Sequence, residues 1–237
     1  MVSILASHGV NIVMDIESFE ELVKVEELAI ISPMGNEYAK SDYVSLLLDA
    51  ETFSNDGGYD QLNEFVQHEI NRQGGEIGYG GYLEKRNLYA DSGHFQYDVN
   101  PRNIHLGIDF WMDAGHKVYA PLPGEIHSYA YNDRHLDYGY TVIVQHLIES
   151  VTFHTLYGHL SNTYFESWEK GKRVMAGEPV GEIGEQHENG GWVPHLHFQV
   201  IIDMADWNGD YPGVCGEQDL AHYKNNCPNP ICLTKLR

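Results

Sequence analysis

Pro194-His195-Leu196-His197-Phe198-Gln199-Val200-Ile201 is the stretch on which the reading of this chain turns. An extended backbone sends successive side chains to opposite faces, so His195, His197 and Gln199 share one side and Leu196, Phe198 and Val200 the other. The apolar side requires a core to cover it. The polar side sets two imidazoles next to each other, spaced so that one can ligate a metal while the other faces whatever the metal activates.

A second stretch, Ile104 to Trp111, alternates in the same way: Ile104, Leu106, Ile108 and Phe110 against His105, Gly107, Asp109 and Trp111. On a straight strand the α-carbons of His105 and Asp109 would lie about 13 Å apart. That is too far for one ion with bonds of roughly 2 Å, so a shared ion requires a bend, which Gly107 permits. In a third stretch, Thr155-Leu-Tyr-Gly-His159-Leu-Ser161, a histidine follows an apolar strand at a glycine. Together these segments offer two histidines and one carboxylate for an ion and two more histidines for moving protons. Three protein ligands leave the fourth position of a tetrahedral zinc to water. There is no His-Glu-x-x-His, so a histidine must act as the base. Of the 14 histidines, His8, His68, His94, His116, His127, His135, His187 and His222 are read as surface or structural.

The segments around these motifs are short and apolar, with turn residues between them: 117–120, 124–130, 141–146, 152–157, 174–176, 179–183 and 195–202. This spacing predicts a mainly β architecture, a twisted antiparallel sandwich or barrel-like domain. Gly115 to Ile126 faintly echoes Gly171 to Ile183, each copy reading as a hairpin of two strands around a Gly/Pro turn. The first third reads differently. Helical spacing is expected over Glu17 to Ile31, over Asp42 to Phe53 and over Tyr59 to Arg72, the last stopped by Gly74-Gly75. The expected organisation is a helical, acidic N-terminal region over 1–95 and a catalytic domain with a C-terminal extension over 96–237.

Composition narrows the partners. The chain has 237 residues, 35 Asp plus Glu against 14 Lys plus Arg, and a formal charge of −21. No basic block could form a phosphate-binding face, so nucleic acid is not an expected partner. The charge also opposes capture on anionic membranes or wall polymers, so a polymeric substrate must be held locally. No apolar run reaches the roughly 20 residues that span a bilayer. The first 15 residues lack the basic start and cleavage site of a secretory leader. The three cysteines, Cys215, Cys227 and Cys232, are read as buried free thiols, a second metal site at Cys227 and Cys232 being conceivable. The expectation is a cytoplasmic protein, or a periplasmic or secreted one if a leader has been removed. Oligomeric state is not readable.

In this order, His-x-x-x-Asp, then a histidine before Leu-Ser, then His-x-His resembles the lysostaphin/LytM-type zinc endopeptidases. The resemblance spans about Arg102 to Ile202 and includes Gly107, Val118-Tyr-Ala-Pro121, Tyr157-Gly-His-Leu-Ser161, Gly171 to Gly184 and Pro194-His-Leu-His-Phe198. It implies Zn2+ held by His105, Asp109 and His197, with His159 and His195 as the catalytic histidines that orient water and stabilise the oxyanion. It further implies a metallo-endopeptidase or amide hydrolase acting on a peptide or peptidoglycan fragment. The flanks Gly80 to Tyr89 and Gly209 to Val214 are similar to a subgroup found beside aminotransferase and phosphotransferase modules. Three other readings fit parts of the pattern. A non-haem iron enzyme also uses two histidines and a carboxylate. A non-enzymatic peptide-binding or regulatory module would keep the groove but usually lacks ligands. A lipoyl-like carrier would need a lysine in an echoed turn, and neither turn has one.

Overall fold

The structure is a computed structural model that describes residues 30–49, 53, 58–86 and 101–237, together with Phe19, Glu21 and Val23. Twelve strands are present among these residues: β1 (Tyr43–Ser45), β2 (Ile77–Gly80), β3 (Ile104–His105), β4 (Ile108–Trp111), β5 (Lys117–Tyr119), β6 (Gly124–Asn132), β7 (Gly139–Ile148), β8 (Val151–Leu160), β9 (Arg173–Val174), β10 (Pro179–Glu182), β11 (His195–Ile201) and β12 (Val214–Cys215). Eight form one sheet in the order β1-β2-β4-β11-β8-β7-β6-β9, while β5 pairs with β10 and β3 with β12. All pairings are antiparallel except β1 with β2. The expected mainly β, twisted antiparallel architecture is therefore the one observed, and every strand anticipated from residue 117 onward is found.

The long sheet is buried on both faces. Val142, Val144, Tyr157, Leu196, Phe198 and Val200 turn toward one core with Val118, Ala120, Val180 and Ile183 of the β5/β10 layer. Ile143, Leu156 and Ile201 turn to the opposite side, against Met204, Tyr211, Cys215 and Cys227 from the C-terminal part. Burying a large aliphatic or aromatic side chain contributes about 1.5–3 kcal/mol, so these two clusters hold the strands that carry the site. The cysteines are free and buried. Cys227 and Cys232 fall in separate cores, which removes the second metal site conceived for them.

The echoed segments pair differently from the hairpins expected. β5 of the first copy pairs with β10 of the second, and the start of β6 pairs with β9. Each copy thus finds its hydrogen bonds in the other, and the weak repeat reflects a crossed pairing.

In the N-terminal region, α1 (Gly58–Gln73) is the helix expected over Tyr59 to Arg72 and buries Leu62, Val66 and Ile70. Gly74 ends it with a φ of 71°, a left-handed conformation that glycine adopts without cost. Of the helix expected over Asp42 to Phe53, the described part, residues 42–49, is not α-helical, and residues 50–52 lie outside the described residues. Its start is a short turn, Lys40–Asp42, followed by β1 and an extended stretch in which Val44, Leu46 and Leu48 are buried and Ser45 and Leu47 exposed. A leucine-rich run fits either period, and pairing decided it: β1 lies on β2, and Leu46 N–H donates to Tyr79 O at 2.8 Å. The helix expected over Glu17 to Ile31 lies largely outside the described residues, as does the boundary expected at 95/96. On either side of that boundary the sheet is continuous, β2 pairing with β4. Among the described residues no helix is long and apolar enough to cross a membrane.

Candidate metal centre and active site

β4, β11 and β8 are neighbours in the long sheet, and β3, paired with β12, precedes β4 in the chain. β11 places His197 opposite Asp109 of β4 on one edge and opposite Gly158 of β8 on the other. Leu196, Phe198 and Val200 go into the core, so the alternation read from the sequence holds and His195, His197 and Gln199 face away from it.

Two departures from regular strand geometry finish the site. The first lies between His105 and Asp109. β3 and β4 are separate strands, Ile104 and Leu106 packing in one core and Ile108 and Phe110 in the other. The backbone bends between them as expected, although the reason for Gly107 is space. A β-carbon there would stand 2.6 Å from His197 Cε1 and 2.8 Å from Phe198 O. The second departure lies at His159. Tyr157 and Leu160, three residues apart, face the same core, and the β7/β8 register shifts nearby. His159 itself has a φ of 62°, a conformation costing a non-glycine residue about 1 kcal/mol or more. The bulge turns His159 off its expected face toward β11, where its ring centroid is 4.3 Å from that of His195.

His105, Asp109 and His197 come together: one donor atom from each lies within 4.8 Å of the other two. His105 Nε2 is 3.3 Å from Asp109 Oδ1, and His197 Nδ1 is 3.2 Å from the same oxygen and 2.9 Å from His105 Nε2. Donors at the corners of a tetrahedron with bonds near 2.0–2.1 Å stand about 3.3 Å apart. The protonation pattern makes the case stronger. His105 Nδ1 is 3.0 Å from Gly81 O, which can only accept, so Nδ1 carries the proton and Nε2 is a lone pair. Gln199 Nε2 donates to Pro212 O at 3.1 Å, which turns Gln199 Oε1 toward His197 Nε2 at 2.9 Å. His197 therefore donates from Nε2 and presents a lone pair at Nδ1. Three acceptors converge with no proton between them, and a cation is what such a set accommodates.

Burial sets the electrostatics. All five residues, His105, Asp109, His159, His195 and His197, are less than a tenth exposed. Desolvation lowers His105 to about 4 and holds His195 below and His159 well below the ordinary imidazole value. For Asp109 burial alone would raise the pKa, but His105, Arg86 and His195 outweigh it and hold the carboxyl well below the usual range. A carboxylate among neutral imidazoles is the form that binds a metal.

His195 and His159 are oriented by backbone carbonyls: Nδ1 of His195 donates to Val193 O at 2.7 Å, and Nδ1 of His159 to Asn189 O at 2.8 Å. Each Nε2 is thereby an acceptor, and His195 Nε2 is 3.9 Å from Asp109 Oδ1. A cleft of about 420 Å³ contains all five residues and is bounded further by Trp111, Tyr138, Trp192, Trp207 and Tyr211, with Leu48 and Leu62 from the N-terminal region. Several residues at the site carry no signal in spacing alone. Gln199 shared the polar face of β11, a hint of its role. Arg86, whose Nη1 donates to Asp109 Oδ2 at 2.6 Å, lies 23 positions upstream of it, and no local periodicity joins the two.

Among the described residues, a buried group of two histidines and one carboxylate, opening on a cleft with two further oriented imidazoles, forms a candidate metal centre. The family assignment agrees: residues 103–209 match the family model of peptidase family M23. That matched segment, 107 of the chain's 237 residues, holds all five residues. Among solved structures, the catalytic domain of the antimicrobial peptidase lysostaphin from Staphylococcus simulans is similar at 22% identity and a TM-score of 0.38, over 63% of this chain and 92% of that one. The catalytic domain of the prophage-encoded M23 protein EnpA from Enterococcus faecalis is similar at 22% identity and a TM-score of 0.39, over 56% of this chain and 88% of that one. A zinc-containing peptidase from Vibrio cholerae is similar at 26% identity and a TM-score of 0.34, over 41% of this chain and 27% of that one, so this chain spans about a quarter of that protein's length. No curated protein sequence matches this chain.

Proposed function

We propose that the chain is a zinc-dependent metallo-endopeptidase or amide hydrolase in which His105, Asp109 and His197 are the metal ligands and His195 and His159 the catalytic histidines. The observation that carries this reading is the convergence of three lone-pair donors, 2.9–3.3 Å apart, beside two imidazoles whose Nε2 atoms are left as acceptors. Bound there, zinc supplies a Lewis acid that polarises a carbonyl and makes water nucleophilic near neutral pH.

The chain's own residues supply the rest. The carbonyls of Val193 and Asn189 hold the protons of His195 and His159 on Nδ1, so each Nε2 starts as a base and becomes a donor only after accepting a proton. Burial disfavours the imidazolium that results, which pushes the proton onward to the leaving amine. Either histidine can take the water proton at Nε2 and, once protonated, donate it to the developing oxyanion or the leaving amine. The aromatic walls of the cleft suit an extended peptide, and peptides of the peptidoglycan type, rich in glycine and D-residues, are the proposed substrates.

The test is metal content together with amine release from peptidoglycan fragments and from peptides containing glycine or D-residues. His197→Ala is expected to lose metal and activity together, whereas His195→Ala keeps the metal and loses turnover by about 100-fold or more. Equal behaviour of the two variants would refute the division of roles. Iron rather than zinc in the purified protein would refute the choice of metal.

A further inference from the structure

Beyond the ligands, a buried chain of charges leads away from the site. Arg86, only 2% exposed, donates through Nη1 to Asp109 Oδ2 at 2.6 Å and through Nε to Glu84 Oε2 at 2.5 Å. Glu84 is buried too, and its other oxygen accepts the Leu48 N–H at 2.9 Å. The guanidinium also lies 5.7 Å from the centroid of Trp111, whose ring stacks on His195 at 5.9 Å. Desolvating three charged groups costs several kcal/mol for each. A metal ligand accounts for Asp109, but it does not account for Arg86 or Glu84.

The geometry at the carboxylate does account for them. A free carboxylate can offer a divalent ion one oxygen or both. Here Oδ2 is taken by a short charge-assisted hydrogen bond, and only Oδ1 faces His105 and His197. We propose that Arg86 is a positioning residue of the metal centre: it confines Asp109 to single-oxygen ligation, so that the position a second oxygen would occupy stays available to water or substrate. Glu84 holds the guanidinium from the far side and is anchored to Leu48, which itself lines the cleft. The N-terminal wall of the cleft and the ligand set are thus fixed by one series of contacts, Leu48 to Glu84 to Arg86 to Asp109. Lysine cannot replace this arginine, because a single ammonium lacks the planar fork that reaches both carboxylates. This inference rests on the proposed ligand set of His105, Asp109 and His197.

The experiment uses the full chain, with Zn2+ affinity measured against a competing chelator and the coordination number read from the visible spectrum of the Co2+ form, which absorbs more strongly when four-coordinate. Arg86→Met is expected to weaken Zn2+ binding tenfold to a hundredfold and to shift the Co2+ spectrum toward the weaker bands of higher coordination, as Oδ2 joins the ion. Arg86→Lys, which preserves the charge, should remain folded by circular dichroism and show the same spectral shift with a smaller loss of affinity. A purely structural arginine would lower stability while leaving the Co2+ spectrum of the folded protein unchanged. Folded variants with wild-type affinity and spectrum would overturn the proposal, and if Arg86→Met does not fold, Arg86→Lys decides alone. A wild-type chain that takes up neither metal would overturn the ligand set and this inference with it; normal wild-type uptake with unaltered variants would overturn this inference only.

Discussion

Two groups of histidines meet at strand β8, and among the described residues only one of them is arranged to hold a metal. At one end His159 joins His105, His195 and His197 around Asp109. Further along the sheet His154 lies beside His127, with ring centroids 5.0 Å apart, and near His146. In the second group the ring nitrogens of His146 are spent on protein partners, Nδ1 on Pro123 O at 2.9 Å and Nε2 on the Thr155 hydroxyl at 2.8 Å. His127 Nδ1 is likewise engaged with the Ser128 hydroxyl at 2.8 Å. Among the described residues no carboxylate joins these rings in a group that could hold a metal, and none of the three lines the cleft that the first group opens on. The difference teaches that imidazoles alone do not make a metal site. What distinguishes the first group is Asp109, held ionised, and second partners that turn lone pairs inward.

The comparison can be broken most sharply at two glycines, one in each group. At Gly107 a β-carbon would meet the His197 ring and Phe198 O, and at Gly124 one would meet Gln145 O at 2.4 Å and His146 Nδ1 at 2.9 Å. Both substitutions to alanine overpack a buried site and should cost about 1–3 kcal/mol of stability. Their effects on metal should part. Gly107→Ala displaces a ligand and is expected to lower Zn2+ affinity and turnover by about 100-fold or more, while Gly124→Ala leaves Zn2+ affinity at the wild-type value. Chelator competition and denaturant unfolding on the two variants measure both quantities, and a Gly107→Ala protein with unchanged affinity would show that the close approach to His197 does not matter.

How much of this the sequence discloses follows from the range of the forces involved. Alternation is a local property: over 195–201 it set His195 and His197 on one face, and over 104–111 it grouped His105 with Asp109 and asked for a bend that Gly107 permits, although the apolar residues it grouped there divide between two cores. From spacing His159 read only as a histidine at a glycine, and its place beside the ligands came from the resemblance, because the bulge that re-aims it depends on the pairing of β7 with β8. Arg86 and Glu84 were not readable at all as parts of the site. Their contacts span 23 and 36 positions, and no periodicity reports such pairings. The N-terminal extended segment was missed for a related reason: Val44, Leu46 and Leu48 alternate, but the intervening Leu47 hides the pattern, and only β2 shows which period is used. The crossed pairing of the echoed segments is likewise a choice between partners that each copy alone leaves open.

A second contrast concerns pH. Burial lowers His146 and His154 to about 4 each. The folded-state pKa of each is depressed below the ordinary value of 6.5, so the unfolded chain binds protons first as the pH falls. The stability involved is fully present above about pH 6.5 and is lost as the pH drops toward 4, below which both states are protonated. For one such group the loss between pH 7 and pH 5 is about 2 kcal/mol. Measured in chelator, so that metal uptake does not contribute, His146→Gln is expected to flatten the dependence of the urea midpoint on pH by about that amount. An unchanged slope would mean that His146 is not held neutral by its surroundings. A change in Zn2+ affinity in the same variant would break the separation of the two groups.

The smallest expected effect tests where the cleft meets its substrate. Trp207 is 43% exposed, yet it lines the cleft and its ring stands edge-on to Tyr211 at 5.9 Å. Its ring packs on Tyr211 and is in no ring contact with the site histidines among the described residues, so its removal should not disturb the reacting groups. An aromatic surface left open at the mouth of a site is available to pack against a bound peptide, and one such contact contributes about 0.5–1.5 kcal/mol. Trp207→Ala is therefore expected to raise KM by about threefold to tenfold with kcat and Zn2+ affinity nearly unchanged, since the interaction is made equally in the ground state and the transition state. A fall in kcat at constant KM would instead place Trp207 among the groups that align the scissile bond, and the division between the metal floor of the cleft and its aromatic rim would have to be redrawn.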